Sequence, residues 1–116
     1  MLESICSLKE VFRAVLVLED DFKNRFDLSI NEAIVSCALS KHKKCPNDLM
    51  QEIGLSGSRI SRILSSLEKK KLVKRNFDKN DKRKMIFTLT TEGEKTIEML
   101  HQSTIEIPEI LKNITK

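Results

Sequence analysis

Arg59 and Arg62 stand three residues apart in a stretch that also holds Ser56, Ser58, Ser61, Ser65, Ser66 and Lys69. On a helix, that spacing puts both guanidinium groups on one side. An arginine fork matches the O6 and N7 acceptors of guanine, and a serine hydroxyl reaches either a phosphate or a base edge. Serines are also small enough to let a helix backbone approach a groove closely. No acidic residue falls between Ser58 and Leu67, whereas an ordinary solvent-facing helix would carry glutamates. The plain alternative is a generic solvated face, the commoner fate of a charge run.

A second basic group follows, Lys79 and then Lys82-Arg83-Lys84, with Asp81 two residues before Arg83. Arginine at the tip of a turn can enter a narrow minor groove, where negative potential is enhanced. Asp81 can orient that guanidinium by a charge-assisted bond. Between Lys41 and Lys84 there are 14 Lys/Arg against 5 Asp/Glu, a net of +9, whereas the whole chain carries +4. A basic middle between acidic ends is the footprint of a polyanion binder.

The three cysteines form no even disulfide set. Cys37, His42 and Cys45 have the spacing C-x4-H-x2-C, which lacks a fourth ligand and matches no common finger, so no metal is expected. Cys37 lies on the apolar side of its segment and reads as core; Cys45, before Pro46, reads as exposed. Cys6 is either a small core thiol or a redox sensor. A sensor needs an accessible, acidified thiol, and the chain has no tyrosine to support a thiolate, so core is the preferred reading. There is no Gly-rich phosphate loop and no Ser/His/Asp set, and only two histidines. These features argue against an enzyme and imply no cofactor.

The elements that must position these residues are legible from periodicity. Ile5, Leu8, Phe12, Val15, Leu16 and Leu18 predict a helix from Leu2 to about Lys23. Glu19-Asp20-Asp21 would oppose a helix dipole ending there, so the cluster marks either a partner surface or a helix that continues. Ser29 or Asn31 can cap a second helix with the apolar stripe Ile34, Val35, Ala38 and Leu39. Pro46 opens a short third helix to Ile53, closed by Gly54. Ser56 caps a fourth helix to about Lys70, with Ile60, Ile63, Leu64 and Leu67 inward. Two short helices joined by a glycine turn make a helix-turn-helix. Leu72–Phe77 and Met85–Thr90 predict strands around the polar turn Asp78–Asp81. Thr91 with Glu94 reads as a capping box for a last helix, kinked at Pro108.

The 116 residues amount to one domain. No run approaches the ~20 apolar residues of a membrane span, and the first residues lack a secretory signal. A cytoplasmic location without membrane contact is therefore expected. The class is mainly α with a small β-hairpin wing (α+β).

Leu28-Ser29-Ile30, Asp48-Leu49, the stretch Leu55–Val73, Arg75, Asp78, Asp81-Lys82-Arg83, Thr88-Leu89-Thr90 and Glu92-Gly93 together resemble the MarR-type winged helix-turn-helix transcriptional regulators. The resemblance implies a homodimer, with residues 1–27 and 91–116 as dimerisation helices and 28–90 as the DNA-binding winged helix. It implies a pseudo-palindromic site on double-stranded DNA, most often repression, and release by a small-molecule or oxidant effector. Cys6 resembles the single first-helix cysteine of the peroxide-sensing branch. The family pattern has glycine where Lys71 stands, so the expectation there is either a left-handed lysine, at a cost on the order of 1 kcal/mol, or a different turn. The DNA-contacting set is then Ser56, Ser58, Arg59, Ser61, Arg62, Ser65, Lys69, Lys82, Arg83 and Lys84, with Asp81 orienting the wing. The competing reading is a winged-helix protein–protein interaction module whose basic face meets an acidic partner; a thiol-based redox regulator acting through Cys6 is a further one.

Overall fold

A computed structural model describes residues 5–102. The order of elements is α1 (Ile5–Phe26), α2 (Ile30–Lys41), α3 (Pro46–Ile53), α4 (Gly57–Lys69), β1 (Val73–Phe77), β2 (Met85–Leu89) and α5 (Thr91–Gln102). These residues fall into two compact units, 5–30 and 31–102. The mainly helical winged helix-turn-helix is the observed architecture, and α5 as far as Gln102 belongs to the same unit as the winged helix. The expected kink at Pro108 lies outside the described residues.

In the first unit, α1 runs on past the acidic cluster. Asp21 pairs with Arg25 at 3.5 Å, and Asn24 donates to Asp20 at 3.4 Å. Four-residue pairs of this kind offset the unfavourable placement of acid late in a helix. The helix ends at Asp27, which is left-handed at φ 56° and donates its N–H to the Lys23 carbonyl at 3.0 Å. Ala14 is buried, whereas Ile5, Leu8, Phe12 and Leu16 are exposed. Their spacing of three and four residues puts these four on one face.

The second unit is built around Val35, Leu39, Leu49, Ile60, Leu64, Leu67, Phe87 and Ile97, all buried. Each such apolar side chain contributes roughly 1.5–3 kcal/mol on full burial. α3 packs on α4 and β2, and α5 packs on β2. The stripe expected on α2 is corrected in one respect. Ile34 is 44% exposed, while Glu32 and Ser36 are buried alongside Ala33, Val35, Ala38 and Leu39. A partner on another element, described below, makes that acid tolerable there.

α3 has the bounds its proline and glycine dictate. Gly54 is left-handed at φ 89° and donates to the Met50 carbonyl at 2.8 Å. At the N-terminus, the Asp48 carboxylate accepts the Cys45 N–H at 3.2 Å. The Cys45 thiol and then its N–H hold Asp48 below the usual carboxylate range, and the charges of Lys84 and Lys44 add to this. Cys45 is half-buried rather than exposed.

β1 and β2 pair antiparallel from Val73–Leu89 to Phe77–Met85. A third segment joins them. Lys44 bridges Phe87 through both backbone bonds, N–H to O at 3.2 Å and O to N–H at 2.8 Å. β2 is therefore hydrogen-bonded on both sides. The cap of α5 is Thr90, one residue earlier than expected. Its hydroxyl accepts the Gly93 N–H at 3.1 Å, and its carbonyl accepts the Glu94 N–H at 2.9 Å. Gly93 has no room for a side chain, since a Cβ there would lie 2.1 Å from the Leu72 carbonyl oxygen.

Candidate nucleic-acid interface

α4 begins as its sequence dictates. The Ser56 hydroxyl accepts the Arg59 N–H at 3.3 Å and lies 3.3 Å from the Ser58 hydroxyl. Ile60, Leu64 and Leu67 fix the inward side. Ser58, Ser61, Arg62, Ser65 and Lys69 then project outward and are exposed, and exposed Arg59 stands on the flank beside them. The α4 residues of the expected contact set, Ser58, Arg59, Ser61, Arg62, Ser65 and Lys69, are thus all exposed. Ser56 is exposed and acts as the helix cap.

Both flanks of α4 are clamped. On one, the buried carboxylate of Glu32 accepts the Ser66 hydroxyl at 2.6 Å and the Lys70 ammonium at 3.0 Å. On the other, Glu68 binds Arg75 of β1 through both oxygens, with Arg75 Nε at 2.7 Å from one and Nη2 on the other. The Arg75 guanidinium also lies 5.4 Å from the ring centroid of Phe87, its cross-strand partner. The two-pronged hydrogen bond from Arg75 is the main reason the Glu68 carboxyl titrates below its usual range, and the same bond raises Arg75. Ser66 was expected to face outward; instead it turns to Glu32. Neither Glu32 nor Lys70 was recognised as part of this surface. The signal available was a lone acid on the apolar side of α2, which demands a partner.

The joint between α4 and the wing is Lys71, left-handed at φ 64°, the first of the two alternatives open there. Its N–H donates to Glu68 and that of Leu72 to Leu67, at 2.9 and 3.0 Å, closing the helix. The wing turn is held by backbone bonds from Asp78 to Lys84 and from Lys84 to Asp81, both 2.9 Å. Asp81 accepts the Arg83 N–H at 3.0 Å and lies 3.7 Å from its Nε. The Arg83 side chain is 96% exposed, and Lys82 and Lys84 are exposed beside it. Asp81 therefore holds the turn as well as facing the guanidinium.

The thiols are distributed differently from expectation. Cys6 is exposed rather than buried. Cys37 is half-buried, with its sulfur 4.0 Å from His101 Nε2. Cys37, His42 and Cys45 do not converge, and no three His, Cys, Asp or Glu side chains form a metal-binding group among the described residues. No helix of the described residues is long and apolar enough to cross a membrane.

Residues 18–100 match the sequence profile of the family described as Transcriptional regulator SarA/Rot. The chain belongs to the SarA/Rot family. Members of this family are transcriptional regulators rather than enzymes, and this chain is one. Its fold is that of the MarR-type regulators. E. coli MarR in its apo form is 23% identical, with TM-score 0.73 over 88% of this chain and 76% of that one. The S. aureus MepR–DNA complex is 26% identical, with TM-score 0.67 over 81% and 78%. BldR, a transcriptional regulator from Sulfolobus solfataricus, is 20% identical, with TM-score 0.73 over 95% and 88%. No curated protein sequence matches the chain.

Proposed function

We propose that this SarA/Rot regulator binds double-stranded DNA in the cytoplasm as a homodimeric repressor. α4 enters the major groove, and the Asp81–Lys84 wing follows the adjacent minor groove. The observation that carries this reading is the outward face of α4, where Ser58, Ser61, Arg62, Ser65 and Lys69 are exposed with no acid among them. The two acids nearest that face, Glu32 and Glu68, are turned into the flanks and matched by Lys70 and Arg75. What approaches the face meets only cations, hydroxyls and helix N-terminal amides, the donor set that phosphate and guanine accept. The MepR relative, crystallised with DNA, supports the same use of the fold.

Pairing is supported by the exposed apolar residues Ile5, Leu8, Phe12 and Leu16 along one face of α1. A two-fold dimer would then address half-sites about one helical turn apart.

Gel shift of genomic fragments over a salt series tests the reading. Each phosphate neutralised by Lys or Arg adds about −0.9 to the slope of log K against log salt. A steep slope is expected. An absence of salt-sensitive duplex binding, with retention of an acidic protein partner instead, would favour the protein-interaction module.

Exposure of Cys6 favours one second reading, in which the regulator is released by an oxidant acting at that thiol. Peroxide should then weaken DNA binding of the native chain and leave Cys6→Ser unaffected. Equal responses in the two proteins would dismiss it.

A further inference from the structure

A carboxylate is the wrong charge to place behind a helix that meets a polyanion. Glu32 nevertheless lies in the first turn of α2, 6% exposed, with both oxygens engaged by α4. Ser66 and Lys70, its partners, are one helical turn apart on the flank that also carries Arg59. The bonds therefore fix two things about α4, its rotation about its own axis and its distance from α2. Both quantities decide which atoms of Arg59, Arg62 and Ser65 reach a groove, because a bidentate arginine contact tolerates little displacement.

We propose that Glu32 is a positioning residue for sequence readout, resting on the assignment of α4 to DNA. It touches no nucleic acid itself; it sets the register in which the arginine–serine face meets the bases.

This gives a test whose sign separates positioning from simple electrostatics. Glu32→Gln removes a negative charge, so charge alone would tighten binding to any duplex. Positioning requires the opposite for a cognate sequence. The probe is a duplex selected by the native protein from a random pool, with a scrambled duplex of equal length as control.

In Glu32→Gln, affinity for the selected duplex should fall about tenfold, the order of one impaired base contact, while affinity for the scrambled duplex stays the same or rises. Ser66→Ala leaves every charge in place and should move the ratio in the same direction by less. Lys70→Met should cost less in the Glu32→Gln background than alone, since the partners share one interaction. Thermal melts confirm that each variant is folded at the assay temperature.

Unchanged or tighter binding of Glu32→Gln to the selected duplex would overturn the proposal. So would an equal loss on both duplexes. A native protein that selects no duplex would instead overturn the DNA assignment, and this role with it.

Discussion

The Thr90 hydroxyl donates to the carbonyl of Lys71 at 2.7 Å while accepting the N–H of Gly93 at 3.1 Å. One side chain thus ties the left-handed exit of α4 to the entry of α5, across the whole hairpin. Replacing it by valine keeps the β-branch and removes both bonds. Thr90→Val should cost about 1–2 kcal/mol, the range of a lost N-cap, read as a lower urea midpoint at unchanged slope. An unchanged midpoint would show that the cap is dispensable.

Gly93 is the tighter constraint at the same joint. A methyl group there would lie 2.1 Å from the backbone oxygen of Leu72, which itself accepts the Thr90 N–H at 2.9 Å. The nearest atoms are the Leu72 carbonyl oxygen and carbon, backbone that cannot swing aside, and the Leu89 Cδ2 lies 3.2 Å away behind them. Gly93→Ala should destabilise by about 3 kcal/mol, the upper end of overpacking costs. A thermal midpoint within a degree of the native value would contradict this packing.

Acid titration should report the Glu68–Arg75 clamp. The folded-state pKa of Glu68 lies below its ordinary value of 4.5, chiefly because Arg75 hydrogen-bonds the ionised form. A depressed carboxyl contributes stability that is fully present above the unfolded value and is lost as pH falls through the folded one. Asp48, held down by Cys45, acts in the same direction below its ordinary value of 3.8. Denaturant midpoints measured from neutral pH downward should therefore decline in the acid range, and Glu68→Gln should flatten part of that decline. Parallel curves for the two proteins would mean that the clamp contributes nothing to folding.

The wing and α4 should separate by salt and sequence. Arg83→Ala removes the exposed guanidinium of the turn and should weaken DNA binding by about 1–3 kcal/mol, the range for a groove contact. Arg62→Ala should weaken binding by a similar ~1–3 kcal/mol and also relax base preference. If Arg83→Ala binds like the native protein at every salt concentration, the wing plays no part in recognition.

Much of this surface was legible because its signals are local. Pro46 and Gly54 bracket α3, and Ser56 starts α4. What was missed depends on partners distant along the chain. Nothing near Glu32 announces that Ser66 and Lys70 meet it, so an apolar stripe through Ile34 was the natural assignment for α2. Nothing near Lys44 announces its backbone pairing with Phe87, because one bridge leaves no alternation to detect. The cap of α5 was misplaced by one residue for a local reason. Thr90 and Thr91 are chemically alike, and the bonds that Thr90 makes to Gly93, Glu94 and Lys71 distinguish them.

With its flanks occupied by Glu32 and Glu68, α4 keeps its seat whatever side chains stand on its outward face. Positions 58, 61, 62, 65 and 69 take no part in either clamp. Exchanging those five side chains as a set should recode the target sequence at little cost in stability, which makes this helix a natural cassette for retargeting.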